Sequence, residues 1–197
     1  MTYKQYEAEV KKHLTEQRFF HSQCVAKEAV KLAKRYGADE KKARVAGILH
    51  DIMKDTAKEE QLKILQEFDI MLPELFLENP KLWHSLSGAV YCKHYLGVSD
   101  EEILDAIACH TSGKKDMTLL DKVLFVADYI SADRNYPGVK DMRKLAKKSL
   151  EDAIIEGIAF TIQEKMGERL PLGTGSIDAY NDAVRELQKQ GKLKHST

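Results

Sequence analysis

Apolar residues in this chain recur at spacings of three and four, the period of an α-helix with one buried face. In SQCVAKEAVKLAKRYG, Val25, Ala29, Leu32 and Tyr36 form one stripe, and Gly37 stands where a left-handed residue stops a helix. ADEKKARVAGILHD predicts a second helix with Asp39 as N-cap. TAKEEQLKILQEF opens with Thr56 and Glu59 at capping-box spacing, and SDEEILDAIACH repeats that signature with Ser99 and Glu102. Helices are also predicted over TLLDKVLFVADYI, KLAKKSLEDAIIEGIAFTIQEKMG and SIDAYNDAVRELQKQG. Val-, Ile- and Tyr-rich stretches are short and lie inside helical periods, and no strand pair is joined by a hairpin turn. The expected fold is all-α, one helical bundle with about eight or more helices and no internal repeat.

Composition narrows the function classes. The 197 residues suffice for one ample domain, and 43% hydrophobic with 31% charged residues is ordinary for a globular protein. Lys plus Arg equals Asp plus Glu at 31 each, so the electrostatic footprint of a nucleic-acid binder is missing. The charged start, MTYKQYEAEVKKHL, argues against a secretory signal, and no apolar run is long enough to span a bilayer. Cys24, Cys92 and Cys109 have no C-x-x-C spacing. An odd count without a signal reads as reduced thiols in a cytoplasmic protein.

The stripes carry unexpected polar residues. Of seven histidines, His13, His94 and His195 lie in charged neighbourhoods and are expected on the surface. The other four sit on apolar faces. His21 heads the Val25–Ala29–Leu32 stripe, and His50 follows Ala43 and Ala46. His84 precedes the small residues of SLSGAV, and His110 extends the Ile103–Ile107 stripe. Asp51 follows His50 directly, and Asp128 continues the stripe of Leu120 and Leu124. Each alone is an ordinary buried residue with a private partner. Together, four imidazoles and two carboxylates would be satisfied by one or two shared cations, and this is the ligand set of iron, manganese, cobalt or zinc. His50 and Asp51 differ by about 100° around a helix axis, so one can face a first ion while the other turns toward a second.

The order His21, His50–Asp51, His84, His110, Asp128 resembles the HD-domain superfamily of metal-dependent phosphohydrolases, and the two added histidines resemble its two-metal members. The flanks RFFHSQCVAKEAVKLAKRYG, AGILHDIMKD, HTSGKKDMTLLDKVLFVADYISADR and AYND look like the YqeK family of symmetrical dinucleoside tetraphosphate hydrolases. The resemblance covers the chain from about Arg18 to Asn181. It implies a single HD domain over 1–197. A metal-binding core would lie at about 18–135, with C-terminal helices over 139–190 packing on it and closing a nucleotide pocket. It also implies hydrolysis of diadenosine tetraphosphate into two ADP with a divalent transition metal, iron first, as one or two ions.

Within that frame Asp51 is expected to bridge the metals, with His21, His50 and Asp128 on the first and His84 and His110 on the second. A metal pair activates water and holds phosphoryl oxygens, so no nucleophilic Ser or Cys is required. His50, Asp51 and Lys54 are the expected catalytic residues, with Lys54 three residues beyond Asp51. Arg18 and Arg134 are tethered to ligand-bearing segments and long enough to reach phosphate or ribose. Together with His21, Asp51, His84, His110 and Asp128 they are expected to contact nucleotide, as is Thr111 in HTSGKKDM. Pro171, Leu172, Gly173, Thr174, Gly175 and Ser176 precede a predicted helix whose free N–H groups suit an anion or a base edge. Relatives carry a His-Pro-x-Thr-like sequence there; this chain reads PLGTGS, and the plain alternative is an N-cap loop at Ser176. Asp55 is expected to steady Lys54 or to cap the TAKEEQ helix. Competing functions are a nucleoside monophosphate or alarmone phosphohydrolase and a non-catalytic nucleotide sensor. Alarmone hydrolases resemble HDxxED after the His-Asp pair, where this chain has Lys54 and Asp55. Neither a nucleic acid nor a membrane is an expected partner, and the sequence is silent on oligomeric state.

Overall fold

The structure, a computed structural model, describes residues 1–193; His195 lies outside the described residues. Eleven α-helices and no strand occur among them: α1 Tyr3–His13, α2 Glu16–Tyr36, α3 Glu40–Leu49, α4 Lys58–Glu67, α5 Glu74–Glu78, α6 Trp83–His94, α7 Glu101–Cys109, α8 Leu119–Ile130, α9 Val139–Ala146, α10 Leu150–Gly167 and α11 Thr174–Lys189. A 3₁₀ turn at Pro80–Leu82 leads into α6. The all-α expectation holds.

Local chemistry accounts for most boundaries. Gly37 ends α2 at φ +82°, where only a residue without Cβ is unstrained. Asp39 caps α3 by accepting from the N–H groups of Lys41 and Lys42. Thr118 and Asp121 close a reciprocal capping box on α8.

Three boundaries differ from expectation. The N-cap of α7 is Asp100, not Ser99; its carboxylate accepts from Glu102 N–H and also pairs with Lys42 at 2.9 Å. The N-cap of α4 is Ala57, not Thr56, because the buried Gln61 amide donates to the Met53 and Thr56 carbonyls and draws that chain inward. The segment KLAKKSLEDAIIEG is two helices, since Ser149 caps α10 by accepting from Asp152 N–H. Of the expected surface histidines, His94 is exposed and stacks on Phe68. His13 is instead half-buried against the Tyr91 hydroxyl at 3.0 Å.

The core runs along α3 and α8. α3 packs against α2, α7 and α8, and α10 packs on α8 while holding α9 and α11. Ile48, Leu49, Ile107, Leu124 and Phe125 are fully buried there, each worth about 1.5–3 kcal/mol against exposure. Gly47 is the tightest point between α2 and α3. A Cβ there would lie 2.6 Å from Ala26 Cα and 2.9 Å from Ala26 N, so only glycine lets the two backbones meet this closely. That contact sets the separation between His21 on α2 and His50 just beyond α3, whose rings come within 5.3 Å.

Candidate metal centre

The start of α2 is tied to the turn that follows α3. Asp55 accepts from both the N–H and the hydroxyl of Thr15, at 2.9 and 2.8 Å, and Thr15 is the N-cap of α2. The expected partner of Asp55 was Lys54 or the α4 cap. It instead holds α2, and with it Arg18 and His21, against the His50–Asp51 turn.

His21, His50, Asp51, His84 and His110 are buried and Asp128 is half-buried, yet they come from five elements and converge. One Asp51 oxygen, Oδ2, lies 3.4 Å from His50 Nε2 and 4.0 Å from His21 Nε2. The other, Oδ1, lies 3.2 Å from His84 Nε2 and 3.5 Å from His110 Nε2. His21 Nε2 is also 3.0 Å from Asp128 Oδ1. Three groups each bring ligand atoms within 4.8 Å of one another: His21–His50–Asp51, His50–His110–Asp128 and Asp51–His84–His110.

The outer ring nitrogens decide what these side chains can do. His50 Nδ1 lies 2.9 Å from Gly47 O, His84 Nδ1 2.8 Å from Lys81 O and His110 Nδ1 2.7 Å from Ile107 O. His21 Nδ1 lies 2.8 Å from Asp133 Oδ2. A carbonyl or carboxylate oxygen only accepts, so each Nδ1 carries a proton, and a ring with that proton alone turns an Nε2 lone pair inward; against its burial, Asp128 and Asp133 raise His21 above its ordinary value, so a metal there displaces a proton. Four lone pairs and two carboxylates then face one another; the His84 and His110 nitrogens are 3.3 Å apart, and His21 and His50 Nε2 have no hydrogen-bond partner. Such an array is repulsive unless cations sit within it, and it is able to hold a divalent metal.

The charges around it fit that reading. Burial opposes ionisation of Asp51, but the imidazoles, His50 first, outweigh it and hold the carboxyl well below its usual range. Asp128 is likewise held low against its burial by His21 and Arg134. Burial pushes His84 down to about 4, with Asp51 opposing only in part, which favours the neutral ring a metal needs. Arg18 Nη1 reaches Asp51 Oδ2 at 3.0 Å, and the Arg134 guanidinium pairs with the Asp128 carboxylate while its Nε donates to Asp128 O. Lys54 Nζ stands 3.3 Å from His84 Nε2, facing the cluster.

Two clefts open onto this cluster. One is lined by Arg18, His21, Asp55, Asp133, Arg134 and Tyr136. The other is lined by His110, Thr111, Asp128, Arg134 and, from α10, Phe160, Thr161 and Glu164. Arg18, Thr111 and Arg134 thus join the six ligand candidates. Pro171–Ser176 lines neither cleft. Ser176, inside α11 rather than at its N-cap, donates to Ser112 O at 2.7 Å. Gly175 abuts Gly113 O, and Gly173 abuts Leu75. Those three residues dock the loop on the turn after His110, and Pro171, Leu172 and Thr174 are exposed. Asp133 escaped sequence reasoning, although an acid five residues beyond Asp128 is a natural partner for a ligating imidazole. Tyr136 and Phe160 escaped it too, since nothing in their local pattern separates a cleft wall from a core face.

An all-helical bundle with paired His and Asp at its centre defines the class. The HD domain family model matches residues 18–133, and the chain belongs to that family. Within it the chain belongs with the symmetrical bis(5'-nucleosyl)-tetraphosphatases. It is 45% identical to the Bacillus subtilis protein of that name over 87% of this chain and 92% of that one. The Staphylococcus aureus protein of the same name is 34% identical over 87% and 89%. A solved structure from Clostridium acetobutylicum, described as a predicted HD superfamily hydrolase involved in NAD metabolism, superposes with a TM-score of 0.91 at 33% identity, covering 94% of this chain and 98% of that one.

Proposed function

We propose that this chain is a metal-dependent hydrolase that cuts diadenosine tetraphosphate symmetrically into two ADP. The observation that carries the reading is the set of four inward Nε2 lone pairs around Asp51, in a chain similar over most of its length to proteins named for that activity. In our reading His21, His50 and Asp128 would hold a first ion and His84 and His110 a second, with Asp51 shared between them. The mixture of imidazole and carboxylate suits iron, manganese, cobalt or zinc alike, and the family resemblance puts iron first. When bound, such ions make water nucleophilic at neutral pH and polarise the phosphoryl oxygens.

The protein groups do the rest. Arg18 and Arg134 bind the phosphate chain and orient it across the cluster. Lys54, half-buried, offers its ammonium to a phosphate oxygen and stabilises charge on the departing diphosphate. Thr111 adds a hydroxyl at the cleft wall. Pro171, Leu172 and Thr174 stand as base contacts, with Gly173, Gly175 and Ser176 keeping them near the His110 turn. Helices α9–α11 form the lid side of a single domain. A cytoplasmic location goes with Cys24, Cys92 and Cys109, which are all unpaired.

The test is hydrolysis of diadenosine tetraphosphate by protein purified without chelator, with metal content measured in parallel. ADP as sole nucleotide, abolished by chelation and in His50→Ala and Asp51→Asn, is the expected result. Equal AMP and ATP, or wild-type rates in both variants, would refute it. Turnover of nucleoside monophosphates or alarmones instead would support the neighbouring phosphohydrolase reading, and metal-loaded protein inert on all of them would support a sensor.

A further inference from the structure

A third cavity adjoins the two clefts and differs from them in character. It encloses about 350 Å³ between the Tyr136–Gly138 turn, α9 and α10. Tyr129, Tyr136 and Phe160 form the wall it shares with the cleft that holds His110, Asp128 and Arg134. Beyond that wall the lining is Met142 and Leu145, with Asp141 and Glu156 at the rim and no cation. A phosphate would find carboxylates and no cation there. An uncharged aromatic group with polar edges would meet rings, a thioether and acceptors.

Three details make it a prepared space. Phe160 is 42% exposed and lies near-parallel to Tyr136 with centroids 5.9 Å apart. The Tyr136 hydroxyl is buried without a hydrogen-bond partner among the described residues. Tyr129 is held in place by its hydroxyl contact with Thr161 at 2.7 Å.

We propose that this cavity takes one nucleoside of the dinucleotide, its base stacked on Phe160 and its polar edge or ribose meeting the Tyr136 hydroxyl. This rests on the reading that the substrate carries two nucleosides. Cleavage at the centre of the chain requires the two middle phosphates to lie over the His–Asp cluster, so each nucleoside lies one diphosphate away and needs its own place. The cavity lies beside Arg134 and Asp128, and its cation-free wall sorts base from phosphate. Base–aromatic stacking tolerates different bases, so Phe160 adds affinity for a nucleoside without selecting adenine.

The test compares Phe160→Ala and Phe160→Trp with wild type on metal-loaded protein. The KM for diadenosine tetraphosphate is read against the inhibition constant of inorganic tetraphosphate, which has the same chain and no nucleoside. Phe160→Ala is expected to raise KM about 10-fold while shifting the inhibition constant less than about 3-fold. Phe160→Trp, which keeps a stacking face, should stay within about 3-fold of wild type on both. Constants that move together, a Phe160→Ala KM equal to wild type, or a Phe160→Trp loss as large as that of Phe160→Ala overturns the subsite. Wild-type protein that forms no ADP from the dinucleotide overturns the functional reading itself, and that outcome is read before any variant is made.

Discussion

Replacing Gly47 by alanine should impair the metal centre although the substitution keeps the main-chain carbonyl that accepts from His50 Nδ1. The added Cβ would lie 2.6 Å from Ala26 Cα and 2.9 Å from Ala26 N, where ordinary contact begins near 3.4 Å. Both atoms are backbone, so relief requires α2 and α3 to part by roughly 1 Å rather than a rotamer change. Overpacking of this kind costs about 1–3 kcal/mol, and the better helix propensity of alanine returns about 1 kcal/mol, so net destabilisation is about 0–2 kcal/mol and the protein still folds. The same 1 Å separates His21 from His50, which share the Asp51 Oδ2 side of the cluster. A displacement of that size is enough for about 100-fold in rate, equivalent to about 2.7 kcal/mol in the barrier. The assays are thermal melting, metal stoichiometry after dialysis against low metal, and kcat/KM. Adding Ala26→Gly should not rescue Gly47→Ala, because the offending atoms are Ala26 Cα and N rather than its Cβ. A Gly47→Ala protein with raised Tm, full metal and wild-type kcat/KM, or a double variant that recovers fully, would refute the close-contact argument.

Lys54→Ala should keep its metal and lose about 10-fold or more in kcat/KM, roughly 1.4 kcal/mol, with Lys54→Arg recovering part; steady-state kinetics on metal-replete protein checks it, and an unchanged rate would make Lys54 a bystander. Asp133→Ala should weaken metal binding about 10–100-fold by freeing the His21 ring, read by competition with a chromogenic chelator, and undiminished affinity would remove Asp133 from the site. Metal-free protein should lose stability on acidification in two stages. His84 has a folded pKa lowered to about 4 from 6.5, so the folded state binds fewer protons in that interval and stability falls as pH drops from 6.5 to 4. Asp51 and Asp128, with folded pKa values held low, contribute stability that is present above about pH 4 and lost below it. Urea unfolding at pH 7, 5 and 3.5 measures both stages, and His84→Gln should flatten the first.

The helices and the six ligand candidates were legible because both rest on periodicity. Val25, Ala29 and Leu32 mark the inner face of α2, and a histidine in register with them must point inward as well. A cap was legible where one side chain stood alone, as at Asp39. Caps were misread where two candidates competed, because Lys42 favours Asp100 over Ser99 and Gln61 moves the start of α4 past Thr56. The partners of the ligands were not legible. Asp133 meets His21 across 112 positions of chain, and Asp55 meets Thr15 across 40. Such pairs depend on how helices cross, which local pattern does not encode. The Pro171–Ser176 loop was read by its composition as a ligand site, while three of its residues serve packing on Ser112, Gly113 and Leu75.

His50, His84 and His110 each hand their outer proton to the carbonyl three residues earlier in their own segment, Gly47, Lys81 and Ile107. A main-chain oxygen is present whatever residue supplies it, so sequence drift at those three positions cannot delete the acceptor. The aim of these rings is therefore inherited as a four-residue cassette at a helix end. Each cassette is a portable unit for grafting a histidine ligand onto another helical scaffold. His21 alone among the four relies on a replaceable side chain, Asp133. Random mutation should find that one support before the others, and a designer seeking to loosen or retune a single ligand would begin there.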